Sequence, residues 1–347
     1  MNFRKKIAMD LGTASILVYV PGKGIVMQEP SIVAVNTYDN KIISVGNEAK
    51  KILGRTSDNI TTIRPLKDGV VANFDATEKI IEYFLKKTVG KVMIRPDMLI
   101  CVPSQISEVQ RRAVIQAAKY AGAHNTYLIE EPIAAAIGAG IDIADEKGNL
   151  IVDIGGGTTD VAVISMGKIV KNKSMPIAGD EFDNKIKDFI QKKYKMLIGD
   201  ASAEKIKIRV ANAYSKDEGE LYEVRGRNLI NGLPMHIYIS SSDIYRALSS
   251  TLDLIVRAVE EVIEETPPEL VADIFERGII MTGGGSLLKG LDKLLEEKIK
   301  VAVRVADGPI TAVIRGTGKA LNFIDDLEDE EDNFKKERRS TILARAK

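Results

Sequence analysis

The chain has 347 residues, 45% of them hydrophobic and 28% charged, and its 49 Lys+Arg balance 49 Asp+Glu. That length exceeds what one core usually supports, so two domains are expected, and zero formal net charge excludes the basic footprint of a nucleic-acid binder. One cysteine excludes an intramolecular disulfide and fits a reducing cytoplasm, and two histidines in unrelated contexts leave no material for a zinc site or a His-based triad.

In chain order, Met1-Asn2-Phe3-Arg4-Lys5-Lys6 runs into a predicted strand at residues 7–11. Its apolar part is too short for a signal peptide, and no later apolar run approaches the ~18 residues of a membrane helix. Further branched, apolar runs bounded by Gly, Pro or Asp predict strands at 16–20, 32–35, 98–102 and 150–153. Cys101 lies in one of them and reads as a buried strand thiol. Apolar residues at helical spacing predict helices over 77–89, 107–120, 180–194 and 242–263, and Pro267-Pro268 opens another. Mixed in this way, the elements imply an α/β fold.

One hairpin occurs twice. Met9-Asp10-Leu11-Gly12-Thr13 is followed by a predicted strand, and so is Val152-Asp153-Ile154-Gly155-Gly156-Gly157-Thr158-Thr159-Asp160. Both read strand, Asp-x-Gly, hydroxyl-bearing turn, strand, a domain's length apart, which suggests two similar domains facing each other. Each turn feeds a strand rather than a helix, unlike a P-loop or a Rossmann turn. Gly316-Thr317-Gly318-Lys319 lacks the P-loop spacing and reads as helix packing. Glycines let backbone N–H groups converge on anionic oxygens, and Thr13, Ser15, Thr158 and Thr159 add hydroxyls. Carboxylates beside phosphates need a cation between them, and magnesium suits Asp10 and Asp153; each Asp also suits a turn on its own account. A third glycine turn, Met281-Thr282-Gly283-Gly284-Gly285-Ser286, follows a predicted strand at 278–281 and reads as the adenine and ribose side.

These turns, in this order, resemble the actin, heat-shock chaperone ATPase and sugar kinase superfamily. Within it the chain resembles the bacterial actin-like MreB family from about Lys6 to Phe323. The signatures are the three turns together with Ile63-Arg64-Pro65-Leu66-Lys67-Asp68-Gly69-Val70, Leu128-Ile129-Glu130-Glu131-Pro132 and Thr266-Pro267-Pro268-Glu269-Leu270.

The resemblance implies an actin-like fold: two related domains with ribonuclease H-like cores around a nucleotide cleft, each with a smaller subdomain. Subdomain IA takes 1–32, 67–141 and 310–325, IB 33–66, IIA 142–178 and 240–309, and IIB 179–239; 326–347 forms a charged tail. It implies ATP and magnesium as cofactors, with Asp10 and Asp153 holding the metal through water. Gly12, Thr13, Ala14 and Ser15 match the first phosphate loop, and Gly155, Gly156, Gly157 and Thr158 the second, with Gly179 beyond it. Glu204 and Lys207 match residues flanking the nucleoside, and Gly283, Gly284, Gly285 and Ser286 the adenosine loop. Glu131 matches the residue that positions the attacking water, assisted by Thr158; as an acid in a helix's first turn it is also favourable electrostatically. Asp160 stands where many members have Glu, and Ser15 where Asn is common.

The implied function is an ATPase filament that governs cell shape or, in a wall-less cell, motility. A nucleotide-binding membrane scaffold with little hydrolysis is the alternative. No lobe beyond the superfamily core suggests a small-molecule kinase, and no peptide-binding domain suggests a chaperone. Expected partners are further copies of the chain, an anionic membrane surface and membrane morphogenesis proteins, at the inner face of the cell membrane. Val92, Met93 and Ile94, between Lys91 and Arg95, match an apolar membrane loop of that family, and also suit a buried turn. Residues 325–332 are acidic at seven of eight positions, and 335–347 carry six basic residues and one acidic one. That basic end suits anionic lipid or a solvated tail.

Overall fold

The computed structural model describes residues 4–54, 59–90, 94–214 and 221–326. The chain divides into two compact units, Met1–Asp142 with Thr311–Lys347, and Ile143–Ile310.

The first unit begins with an antiparallel meander, β1 (Lys6–Leu11), β2 (Ser15–Val20) and β3 (Gly24–Pro30). A small sheet follows from β4 (Val33–Asn36), β5 (Ile42–Val45) and, after α1 (Asn47–Ile52), β6 (Ile60–Ile63). The short pair β7 (Leu66–Lys67) and β8 (Val70–Val71) leads to α2 (Phe74–Val89). Then come β9 (Asp97–Val102), α3 (Glu108–Ala121), β10 (Thr126–Glu130) and α4 (Glu131–Gly138). The main sheet runs β10-β9-β1-β2-β3, with β1, β9 and β10 parallel.

Every residue of β9 is buried, as expected of a parallel strand covered on both faces. On one face Ile80, Ile81, Phe84 and Leu85 of α2 pack with Val114, Ile115, Ala117 and Ala118 of α3. Asn73 caps α2 by accepting from the Ala76 N–H, and Ser107 with Gln110 forms a capping box on α3.

The second unit repeats the main-sheet path with a different insertion. It holds β11 (Asn149–Ile154), β12 (Thr159–Ser165), β13 (Lys168–Met175), α5 (Gly179–Tyr194), β14 (Met196–Leu197) and α6 (Asp200–Val210). It continues through β15 (Tyr222–Asn228), β16 (Pro234–Ile239), α7 (Ser241–Glu264), α8 (Pro268–Arg277), β17 (Ile279–Thr282), α9 (Leu291–Ile299) and β18 (Val303–Val305). Its main sheet runs β13-β12-β11-β17-β18, the same path through a meander and two parallel strands, and β14-β15-β16 forms a small sheet. The duplicated hairpin of the sequence is thus the first hairpin of two equivalent sheets.

The chain returns to the first unit with α10 (Ala312–Ala320). A Cβ on Gly316 would lie 1.8 Å from the Ala134 carbonyl oxygen, and one on Gly138 1.8 Å from that of Ala312. Glycine therefore lets α4 and α10 touch backbone to backbone. Gly316-Thr317-Gly318 is helix packing, as its spacing implied.

The predicted elements are present with ends shifted by at most three residues. The largest shift is at α2, whose first turn, Phe74-Asp75-Ala76, precedes the regular apolar stripe.

Candidate functional site

In an α/β sheet ligands gather beyond the carboxyl ends of parallel strands. In the first unit Asp10 on β1 pairs in register with Cys101 on β9, and Ile129 on β10 with the same Cys101. Glu131 follows directly as the first residue of α4, 9% exposed. Asp10, Cys101 and Glu131 thus share one sheet end. Cys101 is buried, as its apolar run implied, and its thiol donates to the Met9 carbonyl at 3.5 Å. Burial, and then the negative charges of Asp10 and Glu131, push that thiol well above its usual value. Burial also pushes the Asp10 carboxyl up to about 6, with a hydrogen bond from Cys101 drawing it partly back.

The turn between β1 and β2 carries Gly12, Thr13, Ala14 and, at the start of β2, Ser15. A Cβ on Gly12 would fall 2.7 Å from the Ser15 carbonyl oxygen, so this tight turn needs glycine. Thr13 is buried, and its hydroxyl accepts from the Gly69 N–H at 2.9 Å. The Thr13 carbonyl accepts from Arg64 at 3.2 Å. The stretch Arg64–Gly69, noted in the sequence only as a signature, therefore braces the first turn. Gly69 itself has φ +73° and leaves room for the Pro103 ring.

In the second unit Asp153 occupies the equivalent place on β11, 5% exposed. It pairs in register with Asp160 on β12 and Thr282 on β17, and its Oδ1 accepts from the Thr282 hydroxyl at 2.7 Å. The turn Gly155-Gly156-Gly157-Thr158 closes through the Gly155 N–H, which donates to the Thr158 carbonyl at 2.9 Å. Its Gly155 and Gly156 carbonyls accept from the Gly179 and Asp180 N–H groups at the start of α5.

The third glycine turn packs on the end of β11. A Cβ on Gly283, whose φ is +78°, would lie 2.2 Å from the Ile154 carbonyl oxygen, and one on Gly285 2.3 Å from the Ile154 side chain. Gly284 and Ser286 belong to the 3₁₀ turn Gly284–Leu287, where the Ser286 hydroxyl donates to the Gly283 carbonyl at 2.7 Å. That hydroxyl is engaged within its own loop, which the sequence did not disclose. Glu204 and Lys207 share a face of α6 at i, i+3 spacing. Lys207 donates to Asp183, a residue that nothing in the order of residues singles out.

In each unit the predicted aspartate and glycine-turn residues therefore lie at its own sheet end, while Glu204 and Lys207 lie on α6, from which Lys207 reaches the Gly179 carbonyl. Ile94 is 52% exposed, while Val92 and Met93 lie outside the described residues, as does the tail from 327 onward. Among the described residues no helix is long and apolar enough to cross a membrane, and no group of three or more His, Cys, Asp or Glu could hold a metal ion. Hard carboxylate oxygens at Asp10 and Asp153, each beside a turn that glycine keeps open, suit magnesium accompanied by phosphate and water.

Comparison with known proteins places this geometry. The family model described as MreB/Mbl protein matches residues 4–329. The chain is 49% identical over 326 residues to the cell shape-determining protein Mbl of Bacillus subtilis (strain 168), covering 94% of this chain and 98% of that one. It is 47% identical over 339 residues to the cell shape-determining protein MreB of Escherichia coli (strain K12), covering 95% and 98%. Its fold matches the crystal structure of MreB5 of Spiroplasma citri bound to AMPPNP with a TM-score of 0.89 at 36% identity, covering 94% and 98%.

Proposed function

This chain belongs to the MreB/Mbl family, and on that premise we propose that it is an actin-like cytoskeletal ATPase that forms membrane-associated filaments governing cell shape or, in a wall-less cell, motility. One observation carries the reading: Asp10 and Asp153 occupy the same place in two sheets of the same topology, each just before a glycine turn.

Phosphoryl transfer needs positioning and charge stabilisation more than covalent chemistry. Gly12, Thr13, Ala14 and Ser15, and Gly155, Gly156, Gly157 and Thr158, bind the phosphates of ATP. Gly283, Gly284, Gly285 and Ser286, with Gly179, Glu204 and Lys207, bind the nucleoside side. Asp10 and Asp153 hold magnesium through water, and when bound the metal neutralises phosphate oxygens. Glu131 orients a water for attack, and Thr158 assists. MreB5 of Spiroplasma citri, bound to AMPPNP in its solved structure, supports the nucleotide assignment.

The four-subdomain division belongs to this reading, with β4–β6 in IB and β14–β16 in IIB. So does a site of action at the inner face of the cell membrane, reached through Val92, Met93 and Ile94 or the basic tail. Self-association follows if one copy presents a contact to the next that does not close on itself, which yields a filament.

The test is ultracentrifugal pelleting with ATP, with ADP and without nucleotide, beside electron microscopy and a phosphate-release assay. Nucleotide-dependent filaments with release of phosphate are expected. Monomers under all three conditions would remove the filament claim, and filaments without turnover would leave only a scaffold.

A further inference from the structure

The roles proposed above leave Asp183, a largely buried carboxylate of the second unit, without a task. Asp183 lies in α5 with its side chain 13% exposed. Its Oδ2 accepts from Lys207 Nζ at 2.8 Å, and the same ammonium donates to the Gly179 carbonyl at 2.9 Å. Lys207 therefore directs two of its three donors onto α5 and keeps one.

The peptide between Gly179 and Asp180 faces two ways. Its carbonyl receives Lys207, and its N–H donates to the Gly156 carbonyl of the glycine turn at 2.8 Å. A Cβ on Gly179 would lie 3.4 Å from both Lys207 Nζ and the Gly155 carbonyl oxygen, which shows how near the three groups lie. The charged groups facing Asp183 are Lys207 and Glu204 on α6 and Asp180 on its own helix. Burial lifts the Asp183 carboxyl to about 6; Lys207 pulls it down, and the two acids push it up. Its Oδ1 is buried and has no hydrogen-bond partner among the described residues. Lys207 is thus what stabilises the ionised form, and a carboxylate held by one partner in turn fixes that partner.

We propose that Asp183 is a positioning residue for nucleotide binding: it clamps Lys207 onto the Gly179–Asp180 peptide and so holds the nucleoside-flanking residues Glu204 and Lys207 in register with the phosphate turn Gly155–Thr158. This rests on the reading of Lys207 as a nucleotide contact. Asp183 itself touches no nucleotide. A purely structural ion pair would also hold α5 to α6, but it would not make ligand affinity follow the ionisation of Asp183.

Isothermal titration with ADP and magnesium at pH 7.5 and 5.5 separates the two, on wild type, Asp183→Asn, Lys207→Met and the double variant, with thermal melting as a check on folding. At pH 7.5 Asp183→Asn is expected to bind roughly tenfold more weakly, the scale of one coupled pair. Wild type is expected to lose more affinity than Asp183→Asn on going to pH 5.5, because only wild type has the clamp to lose; protonation of the ADP phosphates is common to both. The double variant should bind no more weakly than Lys207→Met. Should Asp183→Asn fail to fold, the profile of Lys207→Met against wild type carries the same comparison. Wild-type affinity in Asp183→Asn, a wild-type pH profile in either single variant, or additive losses in the double variant overturns the clamp. Wild-type protein that binds no ADP at either pH overturns the nucleotide reading itself, and the clamp with it.

Discussion

The hydroxyl of Thr282 donates to Asp153 Oδ1 at 2.7 Å, joining the ends of two parallel strands at a buried carboxylate. Thr282 is fully buried at this contact. Thr282→Val keeps the shape and removes the hydrogen bond. It should lower stability by about 1.5–3 kcal/mol, the contribution of one hydrogen bond to a charged group. Urea unfolding of the nucleotide-free protein measures this, and an unchanged midpoint would count against the contact.

Glu131→Ala should keep ATP binding and lose roughly 10²-fold in hydrolysis, the contribution of one positioned acid–base group. Glu131 sits at the start of α4, its charge felt at Cys101 together with that of Asp10. Single-turnover phosphate release, with ATP affinity measured in parallel, decides the matter. Unchanged release removes Glu131 from its role.

Asp10 gives a pH prediction with a definite sign. Burial raises its folded-state value from 3.8 to about 6. Between those values the folded state binds a proton that the unfolded state lacks. The stability from this group is therefore full below 3.8 and lost as pH rises through about 6. Asp10→Asn removes the half-buried charge, so without nucleotide and with chelator it should be more stable than wild type at pH 7.5, on the order of 1–3 kcal/mol. The advantage should shrink toward pH 4, while magnesium-dependent ADP binding falls. Thermal melting across pH checks the first part and calorimetry the second.

Gly12→Ala should weaken ADP binding roughly 10–100-fold, the effect of moving binding groups by about 1 Å. Its Cβ would meet the Ser15 carbonyl oxygen at 2.7 Å and must push the turn open. Gly22→Ala is a control outside the proposed site: a Cβ there would meet nothing within 4 Å, and its φ of +77° makes any loss one of local backbone strain. Equal ADP affinity in the two variants would argue against a phosphate role for the first turn.

Much of this protein was legible in one dimension. Branched apolar runs, helical stripes and glycine turns depend on a few neighbouring residues, so β1, β9, α3 and both Asp-x-Gly hairpins could be placed by reading along the chain. The duplication of a hairpin at domain spacing also needed no coordinates. The tertiary structure decided which side chains meet. Thr282 reaches Asp153 across 129 positions, Gly69 reaches Thr13 across 56, and Lys207 reaches Asp183 across 24. Hydrogen bonds and desolvation act through space, and neither leaves a periodic trace in the order of residues. For that reason the carboxylates were named by the sequence, while their burial, their partners and the shifts in their proton affinity came only from the folded chain.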